Sequence, residues 1–266
     1  MKPIIEMTQS QARGIRFILM DIDDTLTNGG KLLPPAYGAL WKLKEAGLTV
    51  IPVTGRPAGW CDLIAREWPA DGVVGENGAL AFWEETRAGK LPVLKQDFFP
   101  GAVRNDHPAL RNIRDRALRE VPGLRVAKDQ FSRMFDLALD FAEEDPVLSL
   151  EDAARVKHIA ESEGATAKVS SIHVNVWMGT YDKLSMARRF LKNRFGWDQE
   201  TELDQVVFCG DSPNDEPMFK HFPLACGVAN VERYRNLMNS LPAFVASREC
   251  GDGFAEIASV ILEKRL

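Results

Sequence analysis

The chain has 266 residues, 45% of them hydrophobic and 27% charged, with a formal net charge of −5. That is the composition of a water-soluble globular protein with one large or two modest domains and a sizeable core. It excludes nucleic acid as the main partner, because binding a phosphate backbone needs clustered Lys and Arg. Arg111, Arg114, Arg116 and Arg119 do cluster, but Asp115 and Glu120 are interleaved with them, so the run reads as a solvated helix face. The four cysteines, Cys61, Cys209, Cys226 and Cys250, form no C-x-x-C pair and no zinc-site spacing. Cys209 and Cys226 lie in apolar runs and read as small core residues. No apolar run reaches ~18 residues, so no membrane span is expected. Glu6, Gln9 and Gln11 stand where a signal peptide would be apolar, which points to a reducing, cytoplasmic setting.

The first third alternates strand and helix. Residues 16–20 (RFILM) read as a buried strand. Residues 35–46 have helical spacing, with Leu40, Trp41 and Leu43 apolar, and stop at Gly47. Residues 48–53 form the next strand, Pro57 opens a helix, and 72–74 is a third strand. The middle, 82–178, reads differently. Helices are expected at 106–121 and 150–163, the second with Ser149 and Asp152 as a capping box. Alternating segments at 135–141 and 168–178 read as strands. The last third returns to alternation: a helix at 183–195, a strand at 205–209, a short helix at 215–221 and a strand at 224–228. A helix at 232–240, a strand at 243–246 and a closing helix at 253–264 complete it. The expected fold is α/β: a Rossmann-like doubly wound parallel sheet built from 1–81 and 179–266, with an α+β domain inserted at 82–178.

In such sheets ligands bind beyond the carboxyl ends of the strands. After RFILM comes Asp21-Ile22-Asp23-Asp24-Thr25, and after VIPV comes Thr54-Gly55-Arg56-Pro57. After VVFC comes Gly210-Asp211-Ser212-Pro213-Asn214-Asp215, and Lys183 opens a helix shortly before that strand. Four carboxylates, Asp21, Asp23, Asp211 and Asp215, are thereby gathered on one rim. A pair ~4 Å apart repels by about 4 kcal/mol at an effective dielectric of 20, so a cation is needed. An all-oxygen set without His or Cys suits magnesium (Mg2+), which keeps waters and takes a substrate phosphate. Thr54 and Lys183 supply a donor and a positive charge for phosphate oxygens. Each motif alone has a plain structural reading: D-x-D as a turn, TGRP as a helix start, Asn214 and Asp215 as caps, Lys183 as a surface lysine. Their order, each at a strand end, reverses those readings.

The ordered set resembles the haloacid dehalogenase superfamily of phosphohydrolases. The insertion between Thr54 and Lys183 is similar to their type-two cap, as in Cof-like and sugar-phosphate phosphatases. Gly75-Glu76-Asn77-Gly78-Ala79, Val228-Ala229-Asn230 and Asp252-Gly253 resemble further signatures of that branch, so the likeness covers nearly the whole chain. It departs at Asp24 and Ser212, where relatives often carry glycine, and at Leu184, which follows Lys183 where Cof-like members have glycine. The resemblance implies Asp21 as nucleophile, forming an aspartyl-phosphate, and Asp23 as general acid and then base. It implies Mg2+ on the Asp21 and Asp211 carboxylates and the Asp23 carbonyl, with Asp215 in support. Thr54, Lys183 and Asn214 would hold the transferring phosphoryl group, and the cap would close over the site.

The implied function is hydrolysis of a small phosphorylated metabolite, a sugar phosphate in this branch. Three alternatives stay open at this point. They are a phosphotransferase of the phosphomannomutase type, a phospho-aspartate signalling module and a catalytically dead binding protein. Arg56 and Asn77 are candidate substrate contacts beside the rim. Ser171 to Met178 alternates, so Ile172, Val174, Val176 and Met178 share one face and Ser171, His173, Asn175 and Trp177 the other. The first face is expected to pack on the inserted domain's helices. On the second, Trp177 is expected to meet a sugar ring, with His173 and Asn175 bonding its hydroxyls. The oligomeric state is not legible.

Overall fold

Phe17, Ile18, Leu19 and Met20 form a strand buried on both faces. Ile18 and Met20 enter one apolar layer, Phe17 and Leu19 the other, as the two-residue strand period requires. Residues 206–209 divide in the same way, Val207 and Cys209 against Val206 and Phe208. Strands apolar on both faces belong in a parallel sheet covered by helices on each side, and the computed structural model, which describes residues 1–266, has that architecture.

In chain order the core opens with β1 (Lys2–Pro3), α1 (Gln9–Gly14), β2 (Phe17–Met20) and a small hairpin, β3 (Thr27–Asn28) and β4 (Lys31–Leu32). α2 (Pro34–Glu45), β5 (Thr49–Pro52), α3 (Ala58–Glu67) and β6 (Val73–Gly75) follow, then β7 (Leu80–Glu85) and β8 (Val93–Phe98). The inserted unit holds α4 (Pro108–Glu120), β9 (Arg125–Val126), β10 (Asp136–Asp140), α5 (Leu150–Ser162), β11 (Thr166–Val169) and β12 (His173–Trp177). The chain returns through α6 (Lys183–Phe195), β13 (Val206–Gly210), α7 (Glu216–His221), β14 (Cys226–Gly227), β15 (Phe244–Val245) and α8 (Cys250–Arg265).

The core sheet runs β1-β15-β14-β13-β2-β5, with every neighbouring pair parallel. A bridge between Val53 and Val74 sets β6 beside β5. Leu40, Leu43, Ile64, Ile257 and Ile261 from α2, α3 and α8 fill one layer. Met186, Phe190, Met218 and Phe219 from α6 and α7 fill the other. The sheet is therefore doubly wound, as expected.

The inserted unit is an antiparallel sheet, β11-β12-β10-β9. Its one face packs Leu137, Leu139, Val174 and Val176 against Leu110, Ile113, Val156 and Ile159 of α4 and α5. α5 starts at the expected capping box: the Ser149 hydroxyl accepts from the Asp152 amide while the Asp152 carboxylate accepts from the Ser149 amide. The other face carries the cross-strand pairs Asp136–Trp177, Ala138–Asn175 and Asp140–His173, and the Asn175 side chain donates to the Gly55 carbonyl of the core, 3.4 Å away.

Three expectations need correction. Residue 82, the expected start of the insertion, lies inside β7, and β7 pairs with β6 and β8. The hairpin belongs to the core sheet's margin, and we propose that the inserted unit starts after Phe98 and ends near 178. The expected strand at 168–178 is two strands, because Val169 pairs with Val174 across a turn in which the Ser170 hydroxyl accepts from the His173 amide. The expected helix at 232–240 is a 3-10 run, Ala229–Leu237. It buries only Asn230 and Val231, too little apolar stripe to favour an α-helix.

The core and the start of α6 meet at Gly78, whose φ is +106°. A Cβ there would lie 2.1 Å from the Asp182 carbonyl oxygen and 3.0 Å from the Lys183 nitrogen. Gly78→Ala is expected to cost roughly 2–4 kcal/mol through backbone strain and overpacking, measured by urea unfolding. A cost below about 0.5 kcal/mol would show that this contact does not constrain the helix start.

Candidate active site

Each site residue stands at the end of a core strand or the start of a helix. Asp21 follows β2, Thr54 follows β5, and Asp211 follows β13. Asp215 closes a 3-10 turn, Pro213–Asp215, that leads into α7. Lys183 is the first residue of α6, set by a reciprocal cap between Asp182 and Ser185. Asp24, in the loop after β2, has φ +56°. Aspartate tolerates that left-handed backbone better than most residues, which accounts for an Asp where relatives often carry glycine.

The buried Lys183 ammonium donates to Asp21 Oδ1 at 2.6 Å and to Asp215 Oδ1 at 2.9 Å. Asp215 Oδ2 accepts from the Asp211 amide at 3.1 Å, and the Thr25 hydroxyl donates to Asp211 Oδ1 at 3.3 Å. Carboxylate oxygens of Asp21, Asp211 and Asp215 lie within 4.8 Å of one another, and all three residues are buried. One cation thus faces three carboxylates.

The imbalance appears in the proton affinities. Burial first, then Asp215 and Asp23, push the Asp21 carboxyl up to about 7 against the pull of Lys183. Burial, Asp215 and Asp21 push Asp211 well above the ordinary range. Burial works against the Lys183 ammonium, but Asp21 and Asp215 outweigh it and raise its pKa. The cluster is short of positive charge, and its donors are all oxygen. That set fits a hard divalent cation such as Mg2+ and not a zinc or copper ion.

Beside the cluster, and reached from it by Asp21, lies a cavity of ≈ 20 Å³ lined by Asp21, Asp23, Gly55, Arg56, Asn77, Ser212 and Asn214 from the core. Ser170, Ser171, Ile172, His173 and Asn175 line it from the inserted unit. Thr54 is fully buried behind it, its hydroxyl accepting from the Arg56 amide at 3.0 Å. Asn214 Oδ1 accepts from the Ser212 hydroxyl at 2.8 Å. The Asn77 amide, in a left-handed turn with φ +55°, donates to Asp136 at 3.4 Å, and the Asn175 amide donates to the same oxygen at 2.9 Å. The inserted sheet therefore does cover the site.

Trp177 is the exception. It is 0% exposed, stacks on Tyr181 with ring centroids 5.6 Å apart, and donates its indole N–H to the Tyr181 carbonyl. It shares the right strand face with His173 and Asn175, but lies at the end of the strand where core and insertion pack together. It is a core residue and does not line the cavity.

Arg56 proves central. It donates to Asp23 through Nε and Nη2 at 2.7–3.0 Å, and through Nη1 to Glu143 at 3.0 Å. Its face covers Trp60, 4.4 Å from the ring centroid. Glu143 Oε2 is 2.8 Å from His173 Nε2.

Glu143, Asp129, Arg133 and Asp136 were not singled out from sequence. Glu143 sits in the run Glu143-Glu144-Asp145, which reads as solvated loop. Asp136 gave a usable signal, since D-L-A-L-D places carboxylates inside an apolar strand. Arg133 joins Asp136, Asp129 and the Gly55 carbonyl, tying the insertion to the TGRP loop. Glu76 makes a second tie: it accepts from the amides of Ala58, Met134, Phe135 and Asp136. Its pKa is nonetheless raised to about 7, chiefly by burial and then by Asp136.

A pH dependence follows for the metal-free protein. Asp21 and Glu76 hold protons in the fold up to about pH 7, whereas the unfolded chain releases them near pH 4. Their contribution is full below pH 4 and is lost as pH rises to 7. In EDTA, urea-unfolding free energy should fall from pH 5 to 7.5, and Asp21→Asn should remove on the order of 2 kcal/mol of that fall. An identical slope in the variant would contradict the assignment.

Comparison with known proteins gives the same picture. The family model for haloacid dehalogenase-like hydrolases matches residues 18–98. A phosphoglycolate phosphatase of Methanobrevibacter smithii is 25% identical over 247 residues, 90% of this chain and 95% of that one. A crystal structure from Thermoplasma acidophilum superposes with TM-score 0.70 at 21% identity, covering 93% of this chain and 98% of the other. The sucrose-phosphatase from Synechocystis sp. PCC6803, in complex with sucrose and phosphate, superposes with TM-score 0.64 at 15% identity over 96% and 98% of the two chains. The stretch that matches the model of haloacid dehalogenase-like hydrolases carries D-x-D-x-T and Thr54, and Lys183 and G-D-x-x-N-D follow later in the chain on the same rim.

Proposed function

We propose that the protein is a phosphatase that transfers a phosphoryl group from a small phosphorylated metabolite to Asp21 and then to water. The observation that carries this reading is the buried Asp21 carboxylate at the end of β2, held at 2.6 Å by Lys183 beside Asp211 and Asp215. The carboxylates of Asp21 and Asp211 and the backbone carbonyl of Asp23 would hold Mg2+, supported by Asp215, and the ion would neutralise this cluster and the transferring group.

In the first step a bond forms from an Asp21 oxygen to phosphorus as the bond to the substrate oxygen breaks. Asp23 gives its proton to that leaving oxygen. In the second step Asp23 takes a proton from water, whose oxygen attacks phosphorus and frees Asp21. Lys183, Thr54 and Asn214 hold the phosphoryl oxygens, work that is mostly positioning and electrostatics. Arg56 orients Asp23 through its forked contact.

A cavity of ≈ 20 Å³ holds about one water molecule. The inserted unit therefore acts as a cap that parts to admit substrate and closes around it. The cavity lining is polar save Ile172, which suits a phosphorylated sugar or hydroxy acid of few carbons. The names of two similar proteins, a phosphoglycolate phosphatase and a sucrose-phosphatase, support that range, whereas the stacking role expected of Trp177 no longer does.

Phosphate release from a panel of phosphorylated metabolites and from an activated aryl phosphate is the test. Turnover should need Mg2+ and stop in EDTA. Asp21→Asn should abolish it, and Asp23→Asn should lower it by roughly 10²–10⁴ on an unactivated substrate. Substantial turnover by a folded, Mg2+-saturated Asp21→Asn enzyme would remove Asp21 as nucleophile. Phosphate delivered to a second metabolite instead of water would make the enzyme a phosphotransferase.

A further inference from the structure

The contact between Glu143 and the pair Arg56 and His173 has the form of a bound carboxylate ligand. Oε1 accepts from Arg56 Nη1 at 3.0 Å, and Oε2 is 2.8 Å from His173 Nε2. Each oxygen has its own partner, and the partners come from opposite sides of the cleft: Arg56 from the TGRP loop, His173 from β12. Both are rigid. Arg56 is clamped along one edge by Asp23 and covered by Trp60, and its side chain is 7% exposed. The His173 side chain is 4% exposed.

Glu143 is the movable member. Its side chain is 32% exposed, against 21% for Asp23 and 13% for Asp129, the other carboxylates around Arg56. Its backbone is fixed, the amide donating to Asp140 Oδ1 at 2.8 Å, so only side-chain torsions need change. There is room for it to leave. A second cavity of ≈ 370 Å³, lined by Asp23, Asp24, Gly29, Arg56, Glu143 and Ser171, adjoins the inner one. The inner cavity, at ≈ 20 Å³, has no space for a substrate, and its linings Arg56 and His173 are the two partners that Glu143 holds.

From these features we infer that Arg56 and His173 form the receptor for a carboxylate on the substrate, and that Glu143 is the protein's own stand-in, which swings into the outer cavity when substrate binds. The substrate class is then a phosphorylated hydroxy acid, with its phosphate at Asp21 and its carboxylate between Arg56 and His173. This inference rests on the phosphatase reading of the same site.

Charge decides in favour of exchange. Arg56 already faces Asp23, Asp129 and Glu143, so a further carboxylate could not be added to this group without repulsion. Swapping one carboxylate for another leaves the net charge unchanged and keeps both Arg56 Nη1 and His173 Nε2 paired. A neutral sugar that displaced Glu143 would replace a charged acceptor on Arg56 Nη1 and His173 Nε2 with a neutral hydroxyl, a weaker pairing. The ionised form of Glu143 suits the role: the hydrogen bond and charge of His173, with Arg56, hold its carboxyl down at about 2 despite its partial burial.

The test is steady-state kinetics of the full-length enzyme with Mg2+ on 2-phosphoglycolate, glucose 6-phosphate and p-nitrophenyl phosphate. Wild type should favour phosphoglycolate over the sugar phosphate in kcat/KM. Glu143→Gln, which pairs more weakly with the cradle, should lower KM for phosphoglycolate at least about fivefold, and free glycolate should inhibit it more strongly than wild type. His173→Ala should lower the phosphoglycolate to sugar-phosphate ratio of kcat/KM at least about tenfold, the usual worth of a hydrogen bond to a charged group. Either a wild-type preference for the sugar phosphate, or a Glu143→Gln variant with raised KM for the sugar and unchanged KM for phosphoglycolate, would overturn the inference, making Glu143 a hydroxyl acceptor. If Glu143→Gln does not fold, the wild-type ratio and His173→Ala decide the matter. Failure of wild type on all three substrates overturns the phosphatase reading and this inference with it, and is thus distinguishable from failure of the carboxylate cradle alone.

Discussion

The Lys183 ammonium, buried between Asp21 and Asp215, is the contact on which the arrangement of the site depends. A lysine at this depth is stable only with its carboxylates in place, and carboxylates this crowded tolerate burial only with a cation among them. The pair joins three pieces of chain far apart in sequence: the end of β2, the start of α6 and the turn after β13. Each is held from behind by ordinary means. Parallel pairing aligns β13 with β2 from Val206–Phe17 to Cys209–Met20. The Asp182 cap fixes the first turn of α6. Gly78 lets the 76–78 turn approach that cap closely enough to set where Lys183 begins.

The inserted unit is coupled to this rim through polar contacts of unusual density. One carboxylate, Glu76, accepts from the first amide of α3 and from three consecutive amides at the entry to β10. One guanidinium, Arg133, joins the Gly55 carbonyl to Asp136 and Asp129. Both contacts sit at the start of β10, beside the apolar contact of Phe98 with Phe135. Such a junction can serve as a pivot: it holds one end of the cap while the far end, at Glu143, makes only side-chain contact with the core. Motion that opens the cavity would break the Arg56–Glu143 contact before the contacts around Glu76.

Arg56 connects the two functions of the site. Its inner edge orients Asp23, the proposed acid, and its outer nitrogen reaches the cap. In the proposed reaction, proton transfer and substrate recognition would share one planar cation, a geometry that lysine could not reproduce.

How much of this was legible in the sequence can be argued from single residues. Strands apolar on both faces, Phe17–Met20 and 206–209, specify a parallel sheet, and the polar residues that follow each strand must reach the same rim; Asp21, Thr54, Asp211 and Asp215 were therefore legible. The periodicity of β12 was legible as well, and His173 and Asn175 do face the cavity. What a period of two could not convey is depth along the strand. Trp177 shares that face, yet lies where the core packs against the cap, and burial of a large aromatic ring there outweighs any exposure to ligand. The membership of residues 82–98 was hidden for a related reason: β7 and β8 are decided by pairing with β6, a non-local interaction with no signature in composition. Glu143, in an acidic loop like any solvated one, acquires its meaning only from Arg56, 87 residues away in the chain. Local pattern determined most of the core strands and helices and the acidic rim at their ends. The position of the cap over that rim, and the ion pairs that follow from it, arose only when distant segments packed together, because charge and burial depend on neighbours that the local sequence does not name.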